Sequence, residues 1–328
     1  MSRSLSVTIE RFPIAGRFVI ARGARTEAVL VVARISEGSV IGQGECVPYA
    51  RYGETPEGVV AAIAMQEQAI AAGAGREDLL RSMPPGAARN ALDCALWDFE
   101  AKQMQFPAFR LAGMDRLRPV TTVFTISLDT PQAMAEAAEK AAERPILKIK
   151  LGAPSGDNER IRAVRAAAPD TVLLVDANEG WTFETVSDHL RVCAEAGVAV
   201  VEQPLPVAED ALLAQVDKCV PLCADESVHA REGMERLAPL YQMVNIKLDK
   251  TGGLTEALET AKKAESLGLG IMAGCMVGTS LAMAPAMLLA QRARFVDLDG
   301  PLLLAHDREH GLRYDGSVVY PPEPALWG

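Results

Sequence analysis

Five short apolar runs in the middle of this chain end on a charged residue and recur at nearly even intervals. They are Ile146–Lys150, Val172–Asp176, Val198–Glu202, residues 221–225 and Met243–Lys247. The closing residues Lys150, Asp176, Glu202, Asp225 and Lys247 stand 26, 26, 23 and 22 positions apart. Each interval fits one strand, one helix and two short loops. Helical patterns at 158–168, 183–196, 209–218, 231–238 and 254–267 fill the gaps. Further runs at 120–128, 269–274 and 294–298, with helices at 131–143 and 279–291, extend the series to eight strands. A βα repeat of this kind predicts an α/β barrel over 119–304. The carboxyl ends of its strands converge on one face, where active sites are built.

Residues 1–118 lack that rhythm. Strands are expected at 4–10, 28–35 and 40–44, the last pairing back through Glu37-Gly38, with helices at 56–72, 77–82 and 87–103. Leu92, Ala95, Leu96 and Phe99 form a core-facing stripe on the last helix. The first third is therefore an α+β domain. Two polar stretches, 21–26 and 48–55, are longer than simple turns require and are read as lids. The tail, 305–328, carries a hairpin around Asp315-Gly316 and is expected to pack back on the first domain.

A net charge of −10 and no Lys/Arg-dense segment argue against a nucleic-acid partner. Cysteines 46, 94, 193, 219, 223 and 275 are scattered without zinc spacing, as in a reduced, intracellular protein. Arg3, Glu10, Arg11 and Arg17 break any apolar leader, and 281–290 is too short to span a bilayer. A cytoplasmic protein without membrane contact is expected.

Lys148 and Lys150, two residues apart, share one strand face, and two buried ammoniums need anions opposite them. Asp176, Glu202 and Asp225 supply these. A lone acid after a strand is usually a helix cap or a salt-bridge partner. Three on successive strand ends make an oxygen set for one hard divalent cation, Mg²⁺, with Mn²⁺ fitting the same donors. Lys150 and Lys247 end strands on opposite sides of such a barrel. One could remove a proton from a carbon and the other return it to the opposite face. A carbon acid α to a carboxylate is weak, so the cation and Lys148 would have to stabilise the enediolate. The cation and the neighbouring ammoniums are expected to depress the lysine pKa values.

Lys148-Ile-Lys150, Asp176-Ala-Asn178, Glu202-Gln-Pro204, Ala224-Asp225-Glu226-Ser227 and Asn245-Ile-Lys247 with Thr251-Gly-Gly253 resemble the motifs of the enolase superfamily, in its muconate-lactonizing subgroup. The resemblance covers the whole barrel. It implies a modified TIM barrel, (β/α)7β, under an N-terminal α+β capping domain. It also implies Asp176, Glu202 and Asp225 as Mg²⁺ ligands and Lys150 and Lys247 as the acid/base pair. Self-association into a homo-oligomer is common in the family, and the sequence is silent on it.

Within the subgroup, Asp297-Leu-Asp299 resembles the Asp-x-Asp with which dipeptide epimerases hold a substrate's free amino end. The stretches 18–25, 44–54, 87–98 and 245–257 are similar to their loops as well. The resemblance implies a lid arginine for a glutamate side chain, with Arg25 first, Arg22 second and Arg51 a weaker third. Thr125, Cys275 and Met276 complete the substrate-contacting set. The implied reaction is a Mg²⁺-dependent 1,1-proton transfer on a small dipeptide, interconverting L-Ala-D-Glu and L-Ala-L-Glu in the recycling of murein peptides. Alternatives are an N-succinylamino-acid racemase or o-succinylbenzoate synthase, or a barrel that binds metal without catalysis. Asp297 and Asp299 weigh against the first two, whose substrates carry no ammonium.

Overall fold

The computed structural model describes residues 3–328. Its first part is an antiparallel sheet of β1 (Ser4–Ile20), β2 (Gly23–Glu37) and β3 (Val40–Cys46), in that order. The helix Ala87–Met104 lies so close to β3 that Cβ atoms added at Gly42 and Gly44 would sit 2.3 Å from Phe99 N and 2.2 Å from Ala91 O. Leu92, Ala95, Leu96 and Phe99 of that helix are wholly buried in the cap's core. Its polar residues turn the other way. Arg89 Nη2 donates to Thr251 O at 2.7 Å, Asn90 Nδ2 to Asp249 Oδ1 at 2.8 Å, and Trp97 Nε1 to Thr255 Oγ1 at 2.9 Å. One helix thus serves two cores, which is why it carries no simple polar face.

The second part is an eight-stranded parallel sheet: β5 (Phe124–Ile126), β6 (Ile146–Lys150), β7 (Val172–Asp176), β8 (Val198–Glu202), β9 (Leu222–Ala224), β10 (Met243–Lys247), β11 (Gly270–Gly274) and β12 (Phe295–Val296). It curls until its ends meet, with Thr122 bridging to Val296 and Val123 N donating to Val296 O at 2.8 Å. Val123, Leu174, Val200, Cys223, Met243, Met272 and Phe295 form one inward-facing apolar cluster that plugs the barrel. Two residues further along the chain come Thr125, Asp176, Glu202, Asp225, Asn245 and Asp297, with Asp225 and Asp297 just past the ends of β9 and β12. The period of two along a strand therefore puts a polar layer directly over the plug. The intervening residues, such as Val175, Val201 and Ile246, pack outward on the helices.

Several sequence expectations are corrected. The stretch 120–128 is not one strand: β4 (Val120–Thr121) belongs to a different sheet, pairing with β14 (Val318–Val319) of the hairpin it forms with β13 (Tyr314–Asp315). The tail hairpin therefore sits beside the strand leading into the barrel. The rest of the tail packs on the cap: Ala305 N donates to Pro13 O at 2.8 Å, Arg308 pairs with Glu10 and Glu45 at 2.7 Å each, Trp327 Nε1 donates to Cys94 O at 3.0 Å and Gly328 N to Asp98 Oδ1 at 2.7 Å. The fourth and fifth crossovers are 3₁₀ turns, Val207–Gln215 and Met234–Arg236, instead of α-helices. In the fourth, the Asp210 carboxylate is tied down by the Tyr241 hydroxyl at 2.6 Å. In the fifth, Gly233, at φ +74°, and Pro239 leave room for only one turn. The strand β12 stops at Val296, so Asp297 and Asp299 lie beyond it and do not share a strand face. All six cysteines are free. No helix among the described residues is long and apolar enough to cross a membrane.

Candidate active site

The mouth of the barrel and two pieces of the cap enclose a cavity of about 420 Å³. The first piece is the tip of the β1–β2 hairpin. Ile20 pairs with Gly23 across a two-residue turn at Ala21-Arg22, so 21–26 is a tight turn followed by strand, not the longer loop read from the sequence. The second is the segment after β3, with a 3₁₀ turn at Ala50–Tyr52. Lys150, Lys247 and Asp225 line the cavity floor, with Asp297, Asp299 and Thr125 to one side. Arg22, Arg25, Cys275 and Met276 line its walls. Lys148, Asp176 and Glu202 lie beneath, almost wholly buried.

Every acid of the polar layer is drawn onto an ammonium. Lys150 Nζ donates to Asp176 Oδ2 at 2.6 Å, and Lys247 Nζ to Asp225 Oδ2 at 2.7 Å. Lys148 Nζ lies 2.6 Å from both Asp297 Oδ2 and Glu202 Oε2, and 3.4 Å from Asp176 Oδ2. Asn245 Nδ2 donates to Glu202 Oε1 at 2.7 Å. Gly274 makes room for it, since a Cβ there would sit 2.3 Å from Asn245 Oδ1.

These contacts set the charges. Burial opposes ionisation of Asp176, but Lys150 and Lys148 outweigh it and hold the carboxyl near about 2. Asp225, buried too, is held well below the usual range by Lys247 and Lys250. Burial and the Asp176 charge instead push Glu202 up to about 7. Burial and the Asp297 charge likewise push Asp299 up to about 7. For Lys247, burial favours the neutral amine, but Asp225 and Glu202 prevail and raise it well above its ordinary value. Lys148 is raised in the same way, by Asp297 and Glu202 against its burial. The expected depression of these two lysines is therefore not produced by the protein's own groups; it needs the added charge of a cation.

The donor set suits such a cation. Three buried carboxylates stand on successive strand ends, and Asp176 and Glu202 are register partners. Glu202 Oε2, Asn178 Oδ1, Asn245 Oδ1 and Glu226 Oε2 are buried oxygens that accept no hydrogen bond, the Glu202 oxygen despite its nearness to Lys148. Among the described residues no three acid, cysteine or histidine side chains form a ready metal cage. The carboxylates would have to exchange their ammonium partners for the ion. Hard oxygen donors with so few hydrogens aimed at them fit Mg²⁺ or Mn²⁺.

The structure also separates the lid arginines. Arg22 is engaged, donating to Glu226 Oε1 at 2.7 Å, Asn178 O at 2.9 Å and Glu179 Oε2 at 3.2 Å. Arg51 makes a two-pronged bond to Glu179, both contacts 2.9 Å. Arg25 instead rests on the Tyr49 ring, 5.2 Å from its centre.

Sequence reading missed several groups. Lys250 is wholly buried and reaches Asp225 Oδ1 at 2.5 Å. Its spacing of three from Lys247 was the available signal. Glu226 and Glu179 anchor the cap across more than 120 residues, which no local pattern announces. Tyr49 and Tyr52 also line the cavity.

Residues 133–323 match the enolase C-terminal domain-like family, and 2–113 match the mandelate racemase / muconate lactonizing enzyme N-terminal domain. The chain is 45% identical to the L-Ala-D/L-Glu epimerase of Escherichia coli (strain K12), over 95% of this chain and 98% of that one. It is 42% identical to the N-acetyl-D-glutamate racemase of a Pseudoalteromonas species, over 91% and 95%. Among solved structures, an Agrobacterium tumefaciens enolase family member with homology to dipeptide epimerases, holding sodium and L-Ala-L-Glu, superposes with a TM-score of 0.98. That match has 52% identity and covers 99% of this chain and 100% of that one. A dipeptide epimerase of Enterococcus faecalis V583, complexed with Mg and L-Leu-L-Tyr, gives 0.91 at 27% identity and 98% of both chains.

Proposed function

This chain belongs to the enolase superfamily, with a mandelate racemase / muconate lactonizing enzyme N-terminal domain, and on that premise we propose that it is an L-Ala-D/L-Glu epimerase. The observation that carries the reading is the pair Asp297 and Asp299 on the wall of the cavity whose floor holds Lys150 and Lys247. A substrate with an α-proton between two lysines and an ammonium a few bonds away matches that layout. A dipeptide acting at its C-terminal residue is such a molecule.

In this scheme the neutral one of Lys150 and Lys247 takes the α-proton of the glutamyl residue. The freed electron pair passes into the carboxylate as an enediolate, and the protonated lysine delivers a proton to the other face. The Lys148 ammonium adds positive charge beneath the site. A divalent cation held by Asp176, Glu202 and Asp225 supplies the charge that makes this weak carbon acid reachable. Arg25, which pairs with no acid among the described residues, is the guanidinium assigned to the glutamate side chain, whose carboxylate suits its planar fork. Arg22 is spent on Glu226 and Glu179.

The racemase relative supports a second reading, an N-acylglutamate racemase. The Asp297 charge is already matched by Lys148, and Asp299, near 7, can carry a proton and accept a neutral acyl group. The two readings separate in deuterium oxide. Incubation with L-Ala-L-Glu should exchange the glutamyl α-proton and yield the D-epimer. Turnover of N-acetyl-L-glutamate with none of L-Ala-L-Glu reverses the assignment.

A role in murein peptide recycling follows from that substrate and is proposed with it. So is a cytoplasmic location, which six free cysteines support. Assembly into a homo-oligomer is left to sedimentation.

A further inference from the structure

Three acids surround the Lys148 ammonium, and they differ in one respect. Asp176 and Glu202 lie under the cavity floor, whereas Asp297 touches Lys148 and also lines the cavity. Lys148 itself is fully buried and does not reach the cavity. Of the three acids, Asp297 is the one a molecule in the cavity can touch directly while it holds Lys148. The backbone holds Asp297 in place, its N–H donating to Ala273 O at 2.8 Å. Asp299 is fixed independently, accepting from Thr125 N at 2.6 Å, and among the described residues no ammonium is bonded to it.

We infer that Asp297 is a positioning residue that couples recognition of the substrate's amino end to the charge available from Lys148. This rests on the reading of the cavity as a dipeptide site. With no cation in the subsite, the Asp297 carboxylate is committed to Lys148. An ammonium seated against Asp297 and Asp299 shares that carboxylate and weakens its hold. The Lys148 charge is then released toward the negative charge that develops during proton transfer. Asp299, which has no lysine to release, only binds. The free amino group thus acts on kcat through Asp297 and on KM through Asp299. A preference for dipeptides over N-acyl amino acids is built into the rate as well as the affinity.

The test uses L-Ala-L-Glu and N-propanoyl-L-glutamate, which is the same molecule without its amino group. Turnover is read as α-proton exchange and epimer formation by NMR. For the wild type, kcat should favour L-Ala-L-Glu by about tenfold or more. Methylammonium chloride should raise kcat for N-propanoyl-L-glutamate in a saturable way, with sodium chloride without effect. Asp297→Asn should bring the kcat ratio close to one and abolish the methylammonium response. Asp299→Asn should raise KM for L-Ala-L-Glu while keeping the kcat ratio. An Asp297→Asn enzyme with the wild-type kcat ratio overturns the inference. So does a wild-type enzyme indifferent to methylammonium, a result that stands even if the variant does not fold. Both leave the epimerase reading intact. That reading falls separately, if L-Ala-L-Glu is not turned over at all.

Discussion

Lys150 and Lys247 stand four strands apart in an eight-strand ring, line one cavity, and each donates to its own acid, Asp176 at 2.6 Å and Asp225 at 2.7 Å. On the proposed reading, opposite placement lets the two lysines, one neutral and one protonated, address two faces of one carbon. The shared cavity is what turns two ion pairs into one site.

Because the donors are hard oxygens, chelation with EDTA is expected to abolish epimerisation, and added Mg²⁺ or Mn²⁺ to restore it. The fold should survive, since Lys148, Lys150, Lys247 and Lys250 keep the acids paired. Activity assays alongside circular dichroism check both halves. Full turnover after exhaustive chelation would remove the cation from the scheme.

Asp299 sets a pH dependence. Its folded pKa, near 7, lies above the ordinary aspartate value, so the carboxyl is ionised above that pH and neutral below it. Only the ionised form holds an ammonium strongly. KM for L-Ala-L-Glu should therefore climb as pH falls below 7, approaching about tenfold per unit. Asp299→Asn should flatten that profile at a high KM. A wild-type KM constant from pH 5.5 to 8, both assay limits chosen to span about 7, contradicts the assignment.

The two hairpin arginines should behave differently. Arg25→Ala should weaken L-Ala-L-Glu by about 2 kcal/mol, some thirtyfold in kcat/KM, while sparing L-Ala-L-Ala. Arg22→Ala breaks the contacts to Glu226 and Glu179 that fasten the hairpin to the barrel, and should cost both substrates equally. Paired kinetics on the two dipeptides decide. An equal loss for Arg25→Ala would take that residue out of the side-chain pocket.

The cap offers a stability test that leaves the chemistry aside. A methyl at Gly44 would lie 2.2 Å from Ala91 O and 2.6 Å from Ala95 N, backbone atoms of a helix with nowhere to move. Gly44→Ala should destabilise by about 1–3 kcal/mol in urea unfolding. An unchanged midpoint would mean the helix and β3 are less tightly joined than their contact implies.

What the sequence discloses of this protein follows from range. The barrel was legible because inward residues repeat at i and i+2: Leu174 and Asp176, Val200 and Glu202, Cys223 and Asp225 each put an apolar plug under an acid. The same local rule placed Lys148 and Lys150. The lid did not yield to it. Arg22 and Arg25 differ only in what they meet across the interface, and the partners of Arg22, Glu179 and Glu226, are remote in the chain. The 3₁₀ crossovers were hidden similarly, since the bond from Tyr241 to Asp210 spans the intervening strand. Lys250 was overlooked because a charged residue after a strand is usually solvated, and here a short helix, Leu248–Thr251, folds it under Asp225.

The two-lysine scheme is tested most directly with Lys150→Met and Lys247→Met, each incubated with both epimers of L-Ala-Glu in deuterium oxide. Each variant should lose interconversion by about 10²–10⁴-fold or more. Each should still exchange the α-proton of one epimer, and the two variants should exchange opposite ones. Near-normal epimerisation by either variant, or exchange of the same epimer by both, contradicts it.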